Sequence, residues 1–277
     1  MTMPSRESPI LSCQLPCYVN PMKTKAILLC LMLLFASLPQ VLGEDLTAAD
    51  PDMKVGEHLD YKITWLGIPV GSGELLVKEK TTLNGREVFH VVGRIETNKV
   101  LSKIFPIHDE AHSWIDAATF ESVQFEKKID ELIINTHEKW VFDAAQKKGH
   151  FVSFKSGEKK EFDITVPVHD VLSAFFWARR QPLEVDQTYK IVLTADQRDW
   201  ELQAKVAKKE KIKIDDQKIE TLKVYPDTVS EGVERRGKAW FNVTTDPSHR
   251  PVRIIYKAPI GRITGTLQKA DQLTGAK

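Results

Sequence analysis

Apolar and polar residues alternate with a period of two along most of the chain after residue 55. The segment 58–65 places Leu59, Tyr61, Ile63 and Trp65 on one face and four polar residues on the other, which is typical of a half-buried β-strand. Similar segments follow at 71–80, 88–95, 111–115, 121–129, 133–142, 149–154, 160–166, 188–195, 200–208, 217–225, 237–244, 251–257 and 261–267. Turn residues separate these segments, and Asn84-Gly85 predicts a tight hairpin between two of them. The pattern predicts an all-β fold, with a large antiparallel sheet that forms a half-barrel or a sandwich.

One segment, 170–180, has helical rather than strand periodicity. Val171, Leu172, Phe175 and Phe176 recur at helical spacing, Asp170 precedes them at the N-cap position, and two arginines followed by a proline end the segment. We therefore predict a central α-helix that packs against the sheet. It would join two strand sets, 55–166 and 188–267, within one β-rich domain over 44–277 or between two closely packed halves.

The first 43 residues have the pattern of an export signal. An apolar run at 26–38 follows Lys23 and Lys25 and precedes a small residue, Gly43, at the expected cleavage position. The run is shorter than the roughly 18 to 20 residues that a membrane-spanning helix needs. We predict an N-terminal extension and a cleaved signal peptide over 1–43, with translation starting at Met22, and no transmembrane segment in the mature chain.

Cysteine content and charge restrict the function further. Cys13, Cys17 and Cys30 all precede the expected cleavage site, so the exported domain has neither a disulfide nor a thiolate. Lysine and arginine number 39 against 38 aspartate and glutamate residues. This balance gives no general attraction for nucleic acid, which we exclude as a partner.

Aromatic residues are the clearest candidates for a binding site. Closed or half-closed β-structures often hold one ligand inside, and aromatic rings pack well against acyl chains or sugar rings. Filling the core of a large β-domain is the alternative role for the same side chains. The candidate cavity-lining residues are Trp65, Trp114, Trp140, Phe175, Trp177 and Trp240.

Residues that could bind a metal occur close together at 108–112. His108, Asp109, Glu110 and His112 resemble a zinc-protease motif that has aspartate where the catalytic glutamate belongs. Two histidines four residues apart lie roughly 13 Å apart on a strand, at about 3.3 Å per residue. The surrounding residues favour a strand or a bend, so we predict no metal site and no cofactor.

Two further groups could suggest hydrolysis. His169, Asp170 and Ser173 include a base, an acid and a nucleophile, but no nucleophile-elbow sequence surrounds the serine, and Asp170 is explained by helix capping. Glu57 and Glu74 flank the first predicted hairpin and could act as a carboxylate pair if they met. We predict no catalytic residues.

Several motifs resemble one exported bacterial family. They are G-E-H-L-D-Y-K-I-T-W at 56–65, G-I-P-V-G at 67–71, D-V-L-S-A-F-F-W-A-R at 170–179, and W-F-N-V-T-T-D at 240–246 followed by H-R-P-V-R-I at 249–254. In this order the chain resembles the family called domain of unknown function 3108 over most of 55–267. The resemblance implies a periplasmic or surface-exposed β-protein of a Gram-negative-type bacterium, and it brings no catalytic residues.

Three functional hypotheses follow. The first is a non-enzymatic periplasmic protein that binds or carries a hydrophobic ligand of the cell envelope, such as a lipid or glycolipid. The second is an envelope assembly module that binds another protein through an exposed strand edge. The third is an envelope hydrolase, which would require convergent acids or a metal.

Overall fold

The computed structural model describes residues 53–228, 238–258 and 261–268; the predicted extension, signal peptide and start at Met22 lie outside them. The described residues form one 14-stranded antiparallel sheet with the order β8-β7-β6-β5-β4-β3-β2-β1-β14-β13-β12-β11-β10-β9. Every strand segment predicted from alternation overlaps one of these strands, and the predicted all-β class is confirmed. The strands are β1 His58–Trp65, β2 Ile68–Leu83, β3 Arg86–Thr97, β4 His108–Asp116, β5 Ser122–Asp130, β6 Asn135–Asp143, β7 Lys148–Ser153, β8 Lys159–Asp163, β9 Thr188–Ala195, β10 Arg198–Ile214, β11 Gln217–Thr228, β12 Lys238–Thr244, β13 Pro251–Ala258 and β14 Gly261–Leu267.

The hairpin predicted at Asn84-Gly85 connects β2 to β3. Both residues have positive φ angles, 52° for Asn84 and 79° for Gly85, as the two central positions of a type I′ turn require. Leu83 and Arg86 pair directly across this turn. The turn therefore fixes the register of Glu79–Leu83 against Arg86–His90, up to the register shift between Val77 and Glu79.

One α-helix, α1 (Val171–Arg179), lies between β8 and β9 in the chain, as the sequence predicted. Asp170 caps it, accepting hydrogen bonds from the amides of Leu172 at 2.7 Å and Ser173 at 3.0 Å. Arg179 closes the last turn, where a basic side chain is favourable to the helix dipole. A short 3₁₀ turn, Leu101–Lys103, follows β3.

The helix packs on one face of the curved sheet, which we call the inner face. Phe176 lies in a buried cluster with Val77, Val91 and Ile115, from β2, β3 and β4. On its other side Ala174 packs with Leu193 and other residues of β9 and β10. The helix therefore joins parts of the sheet that are far apart in strand order, and it closes the curve on itself.

Cross-strand pairing shows which side chains share the inner face with the helix. Tyr61 pairs with Gly73, Gly73 with Ile95, and Ile95 with Asp109, across β1 to β4. Directly opposed residues in antiparallel strands point to the same side of the sheet. This row of residues lies on the inner face, near the end of the sheet that carries the β1–β2, β3–β4 and β5–β6 connections.

Candidate functional site

A cavity of about 200 Å³ lies between the inner face of the sheet and α1. Its walls come from both halves of the chain, since β1 to β4, β12 to β14 and the helix all contribute. Most of the lining is aliphatic or aromatic. The apolar lining residues are Tyr61, Ile63, Leu75, Ile95, Ala111, Val171, Leu172, Phe175, Phe241, Ile254, Tyr256 and Ile263.

Three glycines on the inner face, Gly73, Gly93 and Gly265, make room for this cavity. A Cβ atom placed at Gly73 would lie 3.6 Å from the nearest atom, in the side chain of Ile63, and at Gly265 3.9 Å from Ile254. These are ordinary contact distances, so a Cβ atom would fit at either glycine, and a larger side chain would extend into the cavity. The cavity exists because glycines, which have no side chain, occupy these three positions on the core-facing side of the strands.

The helix forms the opposite wall through Val171, Leu172 and Phe175. Its N-terminus is held by Asp170, whose carboxylate also accepts hydrogen bonds from Ser122 and, at 2.5 Å, from Ser113. Asp170 is almost completely buried, and this burial raises the pKa of its carboxyl group. The carboxyl group therefore connects the helix to both β4 and β5.

The C-terminal end of the helix is held by Arg179. Its guanidinium contacts Glu57 at 2.7 Å and donates a hydrogen bond to the carbonyl of Ser248 at 2.9 Å. His249 Nδ1 lies 2.7 Å from the Arg179 carbonyl. Because both ends are fixed to the sheet, the helical wall of the cavity has one defined position.

An acid pair lies at the end of the cavity farthest from the helix. Asp109 lines the cavity and is 4% exposed, and Glu131 lies beside it on the β5–β6 connection. Burial, then the charge of Asp109, raises the pKa of Glu131 to about 7, and burial also raises the pKa of Asp109. Near neutral pH the Glu131 carboxyl group is therefore partly protonated, and it shares a hydrogen bond with Asp109.

Phe175 separates the main cavity from a second one of about 60 Å³. Phe175 and Phe241 line both spaces, and Leu183 and Val243 belong to the smaller one. The Phe175 side chain is only partly buried. Its ring therefore limits the length of the main cavity.

The six aromatic residues proposed from the sequence lie in different places, and of these six, all in the described part of the chain, Phe175 lines the main cavity. Trp140 is 3% exposed and packs in a separate cluster with Phe125 and Phe151. Trp65 is largely exposed at the end of β1. Trp140 therefore belongs to the core and Trp65 to the surface, and neither lines the cavity.

The other three tryptophans also lie away from the cavity wall. Trp114 stacks on His90 with ring centres 4.5 Å apart, on the face of β4 opposite Ala111. Trp240 lies under the ammonium group of Lys223 at 4.9 Å, and Trp177 is on the helix near His169. The sequence analysis missed the isoleucines and glycines of the inner face. They could have been found from their positions in the alternating pattern, which place them on the same face of each strand as the core residues.

The metal-like string lies on β4, as the surrounding residues predicted. Glu110 and His112 point away from the inner face, on which Asp109 lies. His112 Nδ1 lies 2.9 Å from His90 Nε2, and its other nitrogen is 3.3 Å from Glu110. Across the described ranges no group of three or more histidine, cysteine or acidic side chains is placed to hold a metal ion.

The residues considered for hydrolysis have structural partners instead. The Ser173 hydroxyl donates to the Asp170 carbonyl at 3.2 Å, and burial lowers the pKa of His169 to about 4. Glu57 pairs with Arg179, whereas Glu74 contacts Arg94 at 2.9 Å. The interpretation of Asp170 as a helix cap is confirmed.

Comparisons with known proteins give a family and three similar chains among the solved structures. A family model described as "Protein of unknown function (DUF3108)" matches residues 60–268, which include the whole cavity lining. A solved structure described as a "Beta-barrel-like Protein of Domain of Unknown Function DUF1849 from Brucella abortus" is similar with a TM-score of 0.49 and 10% identity, covering 76% of this chain and 95% of that chain. No curated protein matches the chain.

Proposed function

Because this chain belongs to the family described as "Protein of unknown function (DUF3108)", we infer its function from the cavity and propose an exported, non-enzymatic protein that binds and carries a hydrophobic ligand of the cell envelope. The observation that carries the proposal is the cavity of about 200 Å³ with its largely apolar wall. An apolar pocket with a few polar groups at one end is the usual form of a small-molecule site.

The size of the cavity limits the part of the ligand that it can enclose. A protein cavity of about 150 Å³ lined by apolar side chains binds benzene, which has six carbon atoms. By the same ratio, a cavity of about 200 Å³ holds about eight carbon atoms. We expect one short alkyl chain, or the end of a longer chain, between Leu172 and the glycine positions.

The polar end of the cavity selects the head group. Asp109, which lines this end of the cavity, and Glu131 beside it repel an anion once both are ionised and attract a hydroxyl or an amine. Tyr61, which also lines the cavity, already donates its hydroxyl hydrogen to the carbonyl of Pro251 at 2.8 Å. A neutral amphiphile with a hydroxylated head group, such as a glycolipid, fits this arrangement better than a fatty-acid anion.

The export pattern at 1–43 supports a periplasmic location for this role, and it is part of the proposal. Among the described residues, no helix combines the length and the apolar character needed to cross a bilayer. Fractionation of expressing cells with mass determination of the N-terminus tests the location. We expect a periplasmic product that begins at Glu44.

Binding of eight-carbon amphiphiles tests the function directly. Octanol and octanoate are titrated by calorimetry into the wild type, into Gly73→Val, and into Ser72→Val, which changes the exposed neighbour on the other face of the same strand. We expect octanol to bind the wild type and the Ser72→Val control, and the Gly73→Val variant to bind at least tenfold more weakly because valine fills the cavity. Equal octanol binding by all three proteins would reject the cavity as the site.

A second titration tests the head-group assignment. At pH 8 the Glu131 carboxyl group is largely ionised, because its pKa is about 7, so we expect octanoate to bind at least tenfold more weakly than octanol. Replacing the acid with Glu131→Gln should reduce this difference. Preferred binding of octanoate to the wild type would contradict the assignment.

Phe175 sets the length limit of the ligand in this account. Phe175→Ala would join the two cavities that the ring separates. We expect the variant to bind decanol and dodecanol more tightly than octanol, whereas the wild type should gain little beyond eight carbons. An unchanged chain-length preference would place the ligand elsewhere.

The alternative of a strand-edge interaction module has less support. The edge strand β8 spans only five residues, Lys159–Asp163, four of which are charged. Short, charged edge strands are a common means of preventing pairing with another chain. The other edge, β9, is contacted by α1 and by the backbone of His169, which accepts a hydrogen bond from the amide of Thr194 at 2.7 Å.

A further inference from the structure

Exposed apolar side chains are concentrated on three neighbouring connections at one end of the sheet. We call the segments 65–68, 99–105 and 132–133 the apolar rim; they belong to the β1–β2, β3–β4 and β5–β6 connections. Exposed fractions here reach 79% for Val100 and 66% for Ile68. Other prominent members are Leu66, Ile104, Phe105 and Ile133.

The three connections form one continuous surface. Asn98 donates hydrogen bonds from its backbone to Val70 and from its side chain to Pro69, both at 2.9 Å, which joins the first connection to the second. Ile107 forms a β-bridge with Glu131, which joins the second connection to the third. The apolar side chains are therefore held side by side and do not project independently.

Lysines are the charged residues of the second rim segment, whereas the acidic residues Asp130 and Glu131 directly precede the third. The segment 98–107 contains Lys99 and Lys103 and no acidic residue, and the segment 64–72 contains no charged residue. Within the described part of the chain, neither lysine forms an ion pair. Exposed apolar side chains flanked by free lysines are the pattern of proteins that insert into the interface of an anionic membrane.

The rim lies at the same end of the sheet as the outer part of the cavity. Ile63, Ile95 and Ile263 line the cavity, and each is partly exposed and lies within about two residues of a connection at this end. A chain that enters here would pass between the rim and the inner face. We propose that the apolar rim docks on the surface of an anionic lipid bilayer.

The docking rests on the three connections and does not depend on the cavity. Its purpose, the transfer of an apolar ligand between the bilayer and the cavity, does rest on the proposed function. A bilayer surface fits the rim better than a protein partner because the apolar side chains project from loops and, on the β3–β4 connection, alternate with Lys99 and Lys103, whereas the core of a protein interface is depleted of charge.

Sedimentation with vesicles tests the proposal. The protein is used in the form that exporting cells release, with its N-terminus determined by mass spectrometry, and is mixed with phosphatidylcholine vesicles with or without about a third phosphatidylglycerol. The rim variant is Ile104→Ser with Phe105→Ser. The matched control is Val55→Ser, because Val55 is 55% exposed and Phe105 56%, and Val55 precedes β1 at the opposite end of the sheet.

We expect the wild type and the Val55→Ser control to bind anionic vesicles equally. The rim variant should bind at least tenfold more weakly, since it loses two side chains that would leave water. The variant Lys99→Gln with Lys103→Gln should lose on the order of tenfold of the preference for anionic over neutral vesicles. A fluorophore attached at a Val100→Cys position should shift to shorter wavelength with vesicles.

Three results would overturn the proposal. The first is that the wild type does not bind vesicles, and the second is that the rim variant binds them as well as the wild type does. The third is that the wild type self-associates without vesicles and the rim variant does not, which would assign the rim to a second copy of the chain. Octanol binding in solution is measured on the same proteins. Octanol binding that survives without vesicle binding would reject the docking and leave the proposed function standing.

Discussion

The cap residue Asp170 provides the sharpest prediction about stability. Its carboxylate accepts four hydrogen bonds, two from backbone amides of α1 and two from the hydroxyls of Ser113 and Ser122. Replacing a capping aspartate by alanine costs about 1 kcal/mol. Each lost hydroxyl bond to a buried carboxyl group adds about 1 kcal/mol or more. We expect Asp170→Ala to lower the free energy of unfolding by about 3 kcal/mol.

Urea denaturation measures this change, from the midpoint at constant slope. The control is Asp216→Ala, a fully exposed aspartate on the β10–β11 turn, which should change the free energy of unfolding by less than about 0.5 kcal/mol. In a background with Ser113→Ala and Ser122→Ala, the cost of Asp170→Ala should fall to about 1 kcal/mol because only the cap remains to be lost. The same cost in both backgrounds, or a cost below about 1 kcal/mol in the wild type, would show that the serine hydroxyl groups do not stabilise the fold through Asp170.

Three further changes test other parts of the structure. The pKa of Glu131 is about 7 in the folded protein and about 4.5 in the unfolded chain, so the free energy of unfolding falls as pH rises from about 4.5 to 7. In urea titrations Glu131→Gln should therefore be more stable than the wild type at pH 8 by on the order of 1 kcal/mol, and equally stable at pH 4. Arg179→Met leaves the Glu57 carboxylate without its ion-pair partner, so we expect the free energy of unfolding measured in urea to fall by about 3 kcal/mol. Adding Glu57→Gln to the same chain should restore a large part of this loss. A Cβ at Gly149 would lie 2.3 Å from the Phe162 ring, so Gly149→Ala should lower the thermal midpoint, and Phe162→Ala in the same chain should cost less than the two single changes together.

Local sequence patterns were sufficient to predict the strands and the helix. A half-buried strand repeats every two residues, and the Asn84-Gly85 turn needs the positive φ angles that these residues tolerate, so each signal lies within a few neighbouring positions. The ends of β2 were harder, because Ile68–Leu83 extends beyond the predicted 71–80 through pairing with β1 and β3. Strand length depends on partners that are distant in sequence.

The cavity could not be located from the sequence because it depends on which large side chains face which small ones. Gly73 lies opposite Tyr61 within the β1–β2 hairpin, but Gly265 also lies opposite Ile63 through the pairing of β1 with β14, which connects distant parts of the chain. The aromatic residues were the obvious candidates, yet Trp140 fills the core and Trp114 stacks on the outer face. The alternation of residues along each strand identifies the inner face of the sheet. The position of the cavity also depends on how α1 packs against that face, which the alternation does not predict.

Native mass spectrometry of the protein purified without detergent from exporting cells shows whether the cavity carries a hydrophobic ligand. Wild type, Gly73→Val and Ser72→Val are compared, and any bound molecule is identified after solvent extraction. We expect one hydrophobic envelope molecule per chain on the wild type and on Ser72→Val, and a ligand-free mass for Gly73→Val. A folded, ligand-free wild type, or a ligand that Gly73→Val retains in full, would contradict this expectation.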